Sequence, residues 1–214
     1  HGLLMTCSTA LLVKLRYSQV YELTWLNHQV LKACQMQGMT PLHVQRIVHT
    51  TQAENGQPMT HVYLEGSPSD MLTPSQRDAL SQNLSKQLQC PTEVSRLQSV
   101  MQLEGASHGA AAAFHYAVET DIDKDWRDEV YRWYDLEHLP GLAQVAGCVR
   151  AQRWINIDRG PASFACYDIT LPEVLRSQAW LKVRGTPWSS ECRPHFKNTL
   201  RTLFENCQWP RPSE

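Results

Sequence analysis

The 214 residues carry 20 Lys and Arg against 21 Asp and Glu, and 42% are hydrophobic, which is the make-up of an ordinary globule of one large domain or two small ones. The net charge of −1 removes any electrostatic case for nucleic acid or an anionic membrane surface, and no apolar run reaches the roughly 18 residues of a membrane span. The seven cysteines are odd in number, widely spread and without CxxC or Cys/His ligand spacing; this argues against a disulfide framework or a zinc site and fits a reducing, cytoplasmic setting.

Taken in order, residues 10–16 (ALLVKLR) form a short, partly β-branched apolar run and predict a first strand. Leu23, Leu26, Val30 and Leu31 recur near helical spacing within 19–37, and Gly38 is a natural stop. Val44, Ile47 and Val48 mark a second strand over 42–51. Asn55-Gly56 marks a turn and 59–65 a third strand, so 42–65 reads as a hairpin. Pro74 suits the first turn of a helix over 73–88, and 94–103 supplies a fourth strand. Residues 105–113 (GASHGAAAA) read as a flexible linker. The order then repeats: a strand at 114–119, a helix at 125–139, strands at 149–157 and 163–169 around a DRGPA turn, a helix at 172–184 and a strand at 199–206.

The predicted fold class is therefore α+β, a tandem duplication of a ferredoxin-like β-α-β-β-α-β unit. One half spans residues 1–104, the linker 105–113 and the other half 114–214. Val20-Tyr21 and His28 match Val130-Tyr131 and His138 at one offset, and Gln45-Arg46 match Gln152-Arg153. Gly56, Tyr63 and Pro68 match Gly160, Tyr167 and Pro172 at another. The first copy has Trp25 where the second has Asp135, and Val30 where it has Pro140.

Chemistry concentrates in residues 133–140 (WYDLEHLP). On an α-helix Tyr131, Tyr134, Asp135, His138 and Leu142 share one face. Pro140 predicts an end or kink around 138–140 that frees the carbonyl of Leu136. Asp135 and His138, three apart, can touch, and a carboxylate beside an imidazole fixes its tautomer and raises its pKa. That outlines an acid/base pair, and it equally suits a half-buried histidine bonded to the loose carbonyl. Trp154, Trp180 and Trp188 can line an aromatic pocket or fill a core. Arg153 and Arg184 can hold a carboxylate or phenolate, or sit on the surface. His28 faces the same way as His138 but lacks the acid, His195 suits a turn, and His43, His49 and His61 have no metal spacing. There is no Gly-rich phosphate loop and no G-x-S-x-G elbow, and nothing selects a metal or cofactor.

The pattern Trp133-Tyr134-x-x-x-His138-Leu139-Pro140, with Gly147 and Arg150-Ala151-Gln152-Arg153-Trp154, resembles the dimeric α+β-barrel superfamily, most closely its EthD-like branch. So does the tail Ser177-x-Ala179-Trp180, Thr186-Pro187-Trp188 and Arg193-Pro194-His195-Phe196. The likeness is close over residues 115–205 and holds only in outline before them. It implies that one chain forms the pseudo-dimeric barrel that others build from two. It also implies a pocket between the sheet's concave face and the helices, with Arg153 and Tyr167 on its floor. Members of that superfamily include monooxygenases, cyclases, isomerases and haem-handling enzymes.

Residues and resemblance together lead us to expect a cofactor-independent enzyme acting by proton transfer (isomerase, cyclase, lyase or oxygenase) on an oxygenated aromatic or polyketide-like substrate. His138, oriented by Asp135, would move the proton, and Tyr134 or Tyr131 would bond the oxyanion. Arg153, Trp154, Tyr167, Trp180 and Trp188 would contact the substrate. The alternatives are a non-catalytic ligand-binding or assembly protein, and a haem enzyme with one histidine in a deep cavity. The expected partner is a small molecule, with neither nucleic acid nor membrane, and two pseudo-dimers can pair through exposed strand edges.

Overall fold

The computed structural model describes residues 9–16, 23–38, 43–52, 58–66 and 71–206. Asn55-Gly56, Val20-Tyr21, Pro68, Cys7 and Cys207 lie outside the described residues. The strands are β1 (Thr9–Arg16), β2 (His43–Gln52), β3 (Met59–Gly66), β4 (Thr92–Glu104), β5 (Phe114–Ile122), β6 (Cys148–Asn156), β7 (Ser163–Ile169) and β8 (Phe196–Asn206). The longer helices are α1 (Leu23–Met36) and α2 (Pro74–Leu88), followed by four short ones: α3 (Arg127–Trp133), α4 (Leu139–Ala143), α5 (Gln178–Arg184) and α6 (Pro187–Cys192). Thr73 caps α2 with a reciprocal box: its hydroxyl accepts from the Gln76 backbone N–H while the Gln76 side chain accepts from its own N–H.

All eight strands pair antiparallel into one closed barrel, in the order β1-β3-β2-β8-β5-β7-β6-β4. Each set of four keeps the ferredoxin-like order 4-1-3-2, and the two sets join twice, β2 to β8 and β4 to β6. Closure leaves no whole strand at an edge among the described residues, so the pairing of two barrels through exposed edges, expected above, has no free edge strand there to use.

Carrying the registers once round the barrel leaves a single self-consistent correspondence between the halves. Leu12 matches Ala117, Lys14 matches Glu119, His61 matches Phe164 and Tyr63 matches Cys166. This corrects the Tyr63–Tyr167 match by one residue. A one-residue slip changes face in a strand, and Tyr63 does point into the barrel whereas Tyr167 points out to the helices. His28 likewise differs from His138: the first is exposed and the second buried.

An eight-stranded barrel is just wide enough for side chains to fill. Here Leu12, Tyr63, Leu97, Trp154, Phe164 and Phe204 do so. Among them lie polar groups that satisfy one another. Lys14 forms an ion pair with Glu119. Arg150 Nε donates to Asp168 Oδ2 at 3.0 Å, Asp168 Oδ1 accepts from His115 Nδ1 at 2.8 Å, and His115 Nε2 lies 2.9 Å from the Tyr63 hydroxyl. Because the carboxylate can only accept, His115 Nδ1 carries the proton of that bond. The described side chains thus fill the interior.

Outside the barrel the halves differ. Under α1 and α2 the packing is aliphatic: Leu11, Val13, Leu15, Leu26, Val30, Leu64, Leu80 and Leu84 close the interface. Under α3 to α6 it is aromatic: Trp133, Tyr134, Tyr167 and Trp180, with Tyr116 and Phe196 partly buried against them. The segment 105–113 is pinned rather than flexible. Gly105 and Ser107 N–H donate to Val149 and Cys148 carbonyls, and a Cβ on Gly105 would lie 2.1 Å from the Cys148 carbonyl oxygen. Composition alone cannot distinguish a glycine chosen for freedom from one chosen for close approach. No helix among the described residues is long and apolar enough to cross a membrane.

Candidate functional site

The helix expected over 125–139 does not stop at Pro140. Leu139 N–H donates to the Tyr134 carbonyl, an i→i+5 bond, so Tyr134–His138 is one π turn and the chain continues as α4. Such a turn accommodates a residue without an N–H by widening the helix instead of breaking it. It also changes which side chains meet, because a wider turn rotates each residue less than an α turn does. Residues five apart now stack: Trp133 lies face to face with His138, centroids 4.1 Å apart, and Tyr134 meets the same imidazole edge-on at 5.5 Å.

Asp135 does not orient His138. Its carboxylate faces Arg153, with Nη1 to Oδ1 3.4 Å apart. Arg153 is buried on the helix-facing side of β6, its guanidinium 4.3 Å from the Tyr131 ring centroid and 5.2 Å from that of Tyr134. The acid/base pair assumed α geometry, and the π turn removes it. Nor is the His138 pKa raised; burial, then the charges of Arg184 and Arg193, push it down to about 3. The imidazole is neutral at pH 7.

A cavity of about 30 Å³, room for a water or two, lies on the helix-covered outer face of β5, β7 and β8 rather than on the concave inner face. The recess around it, counted out to open solvent, is about 380 Å³. Its walls are Trp133, Tyr134, His138 and Leu142 from the kinked helix, Trp180 and Arg184 from α5, Tyr116 and Val118 from β5 and Tyr167 from β7. Arg193, Phe196 and Arg201 complete it from the end of the chain. Three buried polar atoms on these walls have no hydrogen-bond partner: Trp133 Nε1, His138 Nδ1 and the Tyr167 hydroxyl. Orphans are rare in folded proteins, and three around one cavity mark a place where a ligand or ordered water is expected. Burial holds the Tyr134 and Tyr167 phenols well above their ordinary range, so both are donors. Cys148 and Cys192, pushed up to about 12 and 11 chiefly by burial, are thiols and not nucleophiles.

Of the expected site residues, Tyr134, His138, Tyr167 and Trp180 come together at this cavity. Tyr131 and Arg153 stack on each other beside it, with Asp135 on the far side of the guanidinium. Trp154 faces into the barrel, because the alternation of β6 puts it opposite to Arg153. Trp188 packs partly buried against the same core but is not among the cavity's walls, and its indole N–H donates to Glu129 Oε1 at 2.9 Å. His195 has the expected turn role, stacked on Trp126 and 3.1 Å from Asp123 Oδ2. Tyr116, Arg193 and Arg201 were missed. Arg193 stood within the tail motif, but Tyr116 and Arg201 become visible only once β5 and β8 are known to lie side by side, Tyr116 opposite Leu203 and Val118 opposite Arg201.

No family model matches the chain, and no curated protein matches it. Solved structures do. A monooxygenase candidate from Fusobacterium nucleatum aligns over 95% of this chain and 94% of its own at 6% identity, with TM-score 0.58. A ferredoxin-fold protein from Listeria monocytogenes, related to antibiotic biosynthesis monooxygenases, aligns over 98% and 100% at 8% identity with TM-score 0.54. Chlorite dismutase from Candidatus Nitrospira defluvii, in complex with imidazole, aligns over 92% and 91% at 8% identity with TM-score 0.55. The fold is that of the dimeric α+β-barrel proteins. At these identities the likeness concerns the fold alone.

Nothing at this cavity selects haem, which the resemblance raises: His138 is the one histidine among its walls, and its imidazole lies on the Trp133 ring.

Proposed function

We propose that the C-terminal half binds a small oxygenated molecule, aromatic or polyketide-like, between its helices and sheet and transfers a proton on it, as an isomerase, cyclase, lyase or cofactor-independent oxygenase does. The observation that carries this reading is the set of three orphaned polar atoms, on Trp133, His138 and Tyr167, around one aromatic cavity. His138 enters neutral and accepts the proton. Tyr134 and Tyr167, both held as phenols, donate to the oxygen on which charge develops. The packing under α1 and α2 is aliphatic where it is described, and no such aromatic wall lies there. The WYxxxHLP and RAQRW stretches support placing it in the EthD-like branch.

The test is solvent-deuterium incorporation into a panel of small phenols and enolisable ketones, followed by mass spectrometry, for the parent chain and for His138→Phe. The parent is expected to exchange at least one of them and the variant to lose about 10²- to 10⁴-fold. A folded variant that keeps the full rate removes His138 from the chemistry. The second reading, a non-catalytic binder, is favoured by one observation: no carboxylate orients His138. It is selected if ligands bind and none exchanges.

A further inference from the structure

Arg184, Arg193 and Arg201 reach the same cavity from three different elements. Among the described residues none of the three has an acidic partner, and no Asp or Glu lines the cavity. Six other arginines are matched: Arg77 and Arg96 with Asp158, Arg150 with Asp168, Arg153 with Asp135, Arg132 with Glu129 and Arg159 with Glu93, while Arg16, Arg127 and Arg176 are exposed to solvent. Arg193 Nη1 instead donates to the Arg184 carbonyl, 3.4 Å away, which brings two like charges together. Partly buried cations gathered without counter-ions are costly in an empty site and favourable in one that receives a negative charge.

We infer that the pocket's ligand is an anion: a planar, ring-bearing carboxylate, or an equivalent ionised enol or phenol, its charged end between Arg184, Arg193 and Arg201 and its ring against Trp133, Tyr134 and Tyr167. This rests on reading the cavity as the ligand site. The guanidinium fork matches two carboxylate oxygens, and the aromatic walls accept a flat apolar body. Arg184, Arg193 and Arg201 are half-exposed, so their side chains can move aside for the ring. The anion has a second effect. The Arg184 and Arg193 charges help hold His138 below its ordinary pKa, and Arg193 itself is lowered by burial and by Arg184 and Arg201. A bound anion offsets that field, so the imidazole becomes a better base when the ligand arrives.

The test uses the whole chain with three probes, benzoate, benzamide and inorganic phosphate. Affinity comes from calorimetry and location from the indole N–H resonance of Trp133, assigned with Trp133→Phe. Benzoate is expected to bind at least about tenfold more tightly than its neutral isostere and than phosphate, and to move the Trp133 resonance. Arg201→Gln and Arg184→Gln are each expected to bring the benzoate/benzamide ratio close to one. If one variant fails to fold, the other carries the comparison. Equal binding of benzoate and benzamide to the parent chain overturns the charge inference and leaves the ligand site standing. Phosphate binding as tight as benzoate overturns the aromatic part. If no probe moves the Trp133 resonance, the site and the inference fall together.

Discussion

Replacing His138 by Phe should remove a pH-dependent cost of folding that the structure allows to be worked out. His138 is 8% exposed and face-stacked on Trp133, a place Phe can also take. Its folded pKa is about 3 against 6.5 for the free side chain. The unfolded chain therefore binds the extra proton first. Stability from this residue is fully present above pH 6.5 and is lost as pH falls from 6.5 towards 3, at 1.36 kcal/mol per unit. Between pH 8 and pH 4.5 the loss is about 2.7 kcal/mol. His61, buried in the barrel and also pushed well below its ordinary value by burial and by the Lys14 charge, adds a similar slope, and so do paired carboxylates at lower pH. These contributions are common to both proteins and cancel in the difference. Urea unfolding of parent and His138→Phe at the two pH values should thus show the variant gaining about 2.7 kcal/mol relative to the parent on acidification. A difference that stays constant within about 0.5 kcal/mol would mean that His138 is hydrated or charge-paired in the folded state, and the picture of a neutral, orphaned imidazole would be wrong.

Asp135→Asn should cost no more than about 1 kcal/mol by urea unfolding and leave probe binding unchanged, because Asp135 is half-exposed and touches Arg153, not His138. Arg153→Met, by contrast, should cost about 3 kcal/mol, since it strips a buried guanidinium from two tyrosine rings. Gly105→Ala places a methyl group 2.1 Å from the Cys148 carbonyl oxygen, and a drop of at least about 2 kcal/mol in thermal or urea stability is expected. In the barrel interior Asp168→Asn should cost about 3–5 kcal/mol, because it removes the negative charge of a buried ion pair and leaves one acceptor oxygen where Arg150 and His115 use two. Tyr63→Phe, which removes the hydroxyl that lies 2.9 Å from His115 Nε2 and 3.4 Å from His61 Nδ1, should cost at least about 1 kcal/mol in the same urea titrations.

The strands were legible because their apolar residues recur at short range and turns punctuate them. Each expected strand is present, displaced by up to three residues at an end: 199–206, for example, begins at Phe196. The helices near the site were less legible. Pro172 opens a short 3-10 turn through Arg176, and Ser177 then caps a separate α5 by accepting from the Trp180 N–H, so one expected helix is two. The α6 helix at Pro187–Cys192 was not foreseen, although Thr186 caps it in the same way. The site itself was half legible. Tyr134 and His138 announce themselves as polar aromatic groups on a helix and Tyr167 as one on a strand, but the Asp135–His138 pair depended on a helical pitch that Pro140 changes. Arg184 was among the candidates and Arg193 stood in the tail motif, but their meeting with Arg201 depends on strand and loop packing that no local pattern carries.

The barrel's pseudo-axis explains why such divergence is tolerated in a single chain. Three pairs of counterpart positions touch across it: Lys14 with Glu119, the rings of His61 and Phe164 with centroids 6.3 Å apart, and the Tyr63 hydroxyl with Cys166 Sγ at 4.0 Å. A residue that contacts its own counterpart lies near a two-fold axis. In a dimer of identical halves it would meet itself: lysine would face lysine, or glutamate glutamate, inside a closed barrel where like charges are strongly disfavoured. Joining unequal halves removes that constraint and lets opposite charges meet at the axis. The same inequality separates stability from function. Under α1 and α2 the described packing is aliphatic, while the other half gathers three orphaned polar atoms and three arginines without acidic partners around one aromatic cavity.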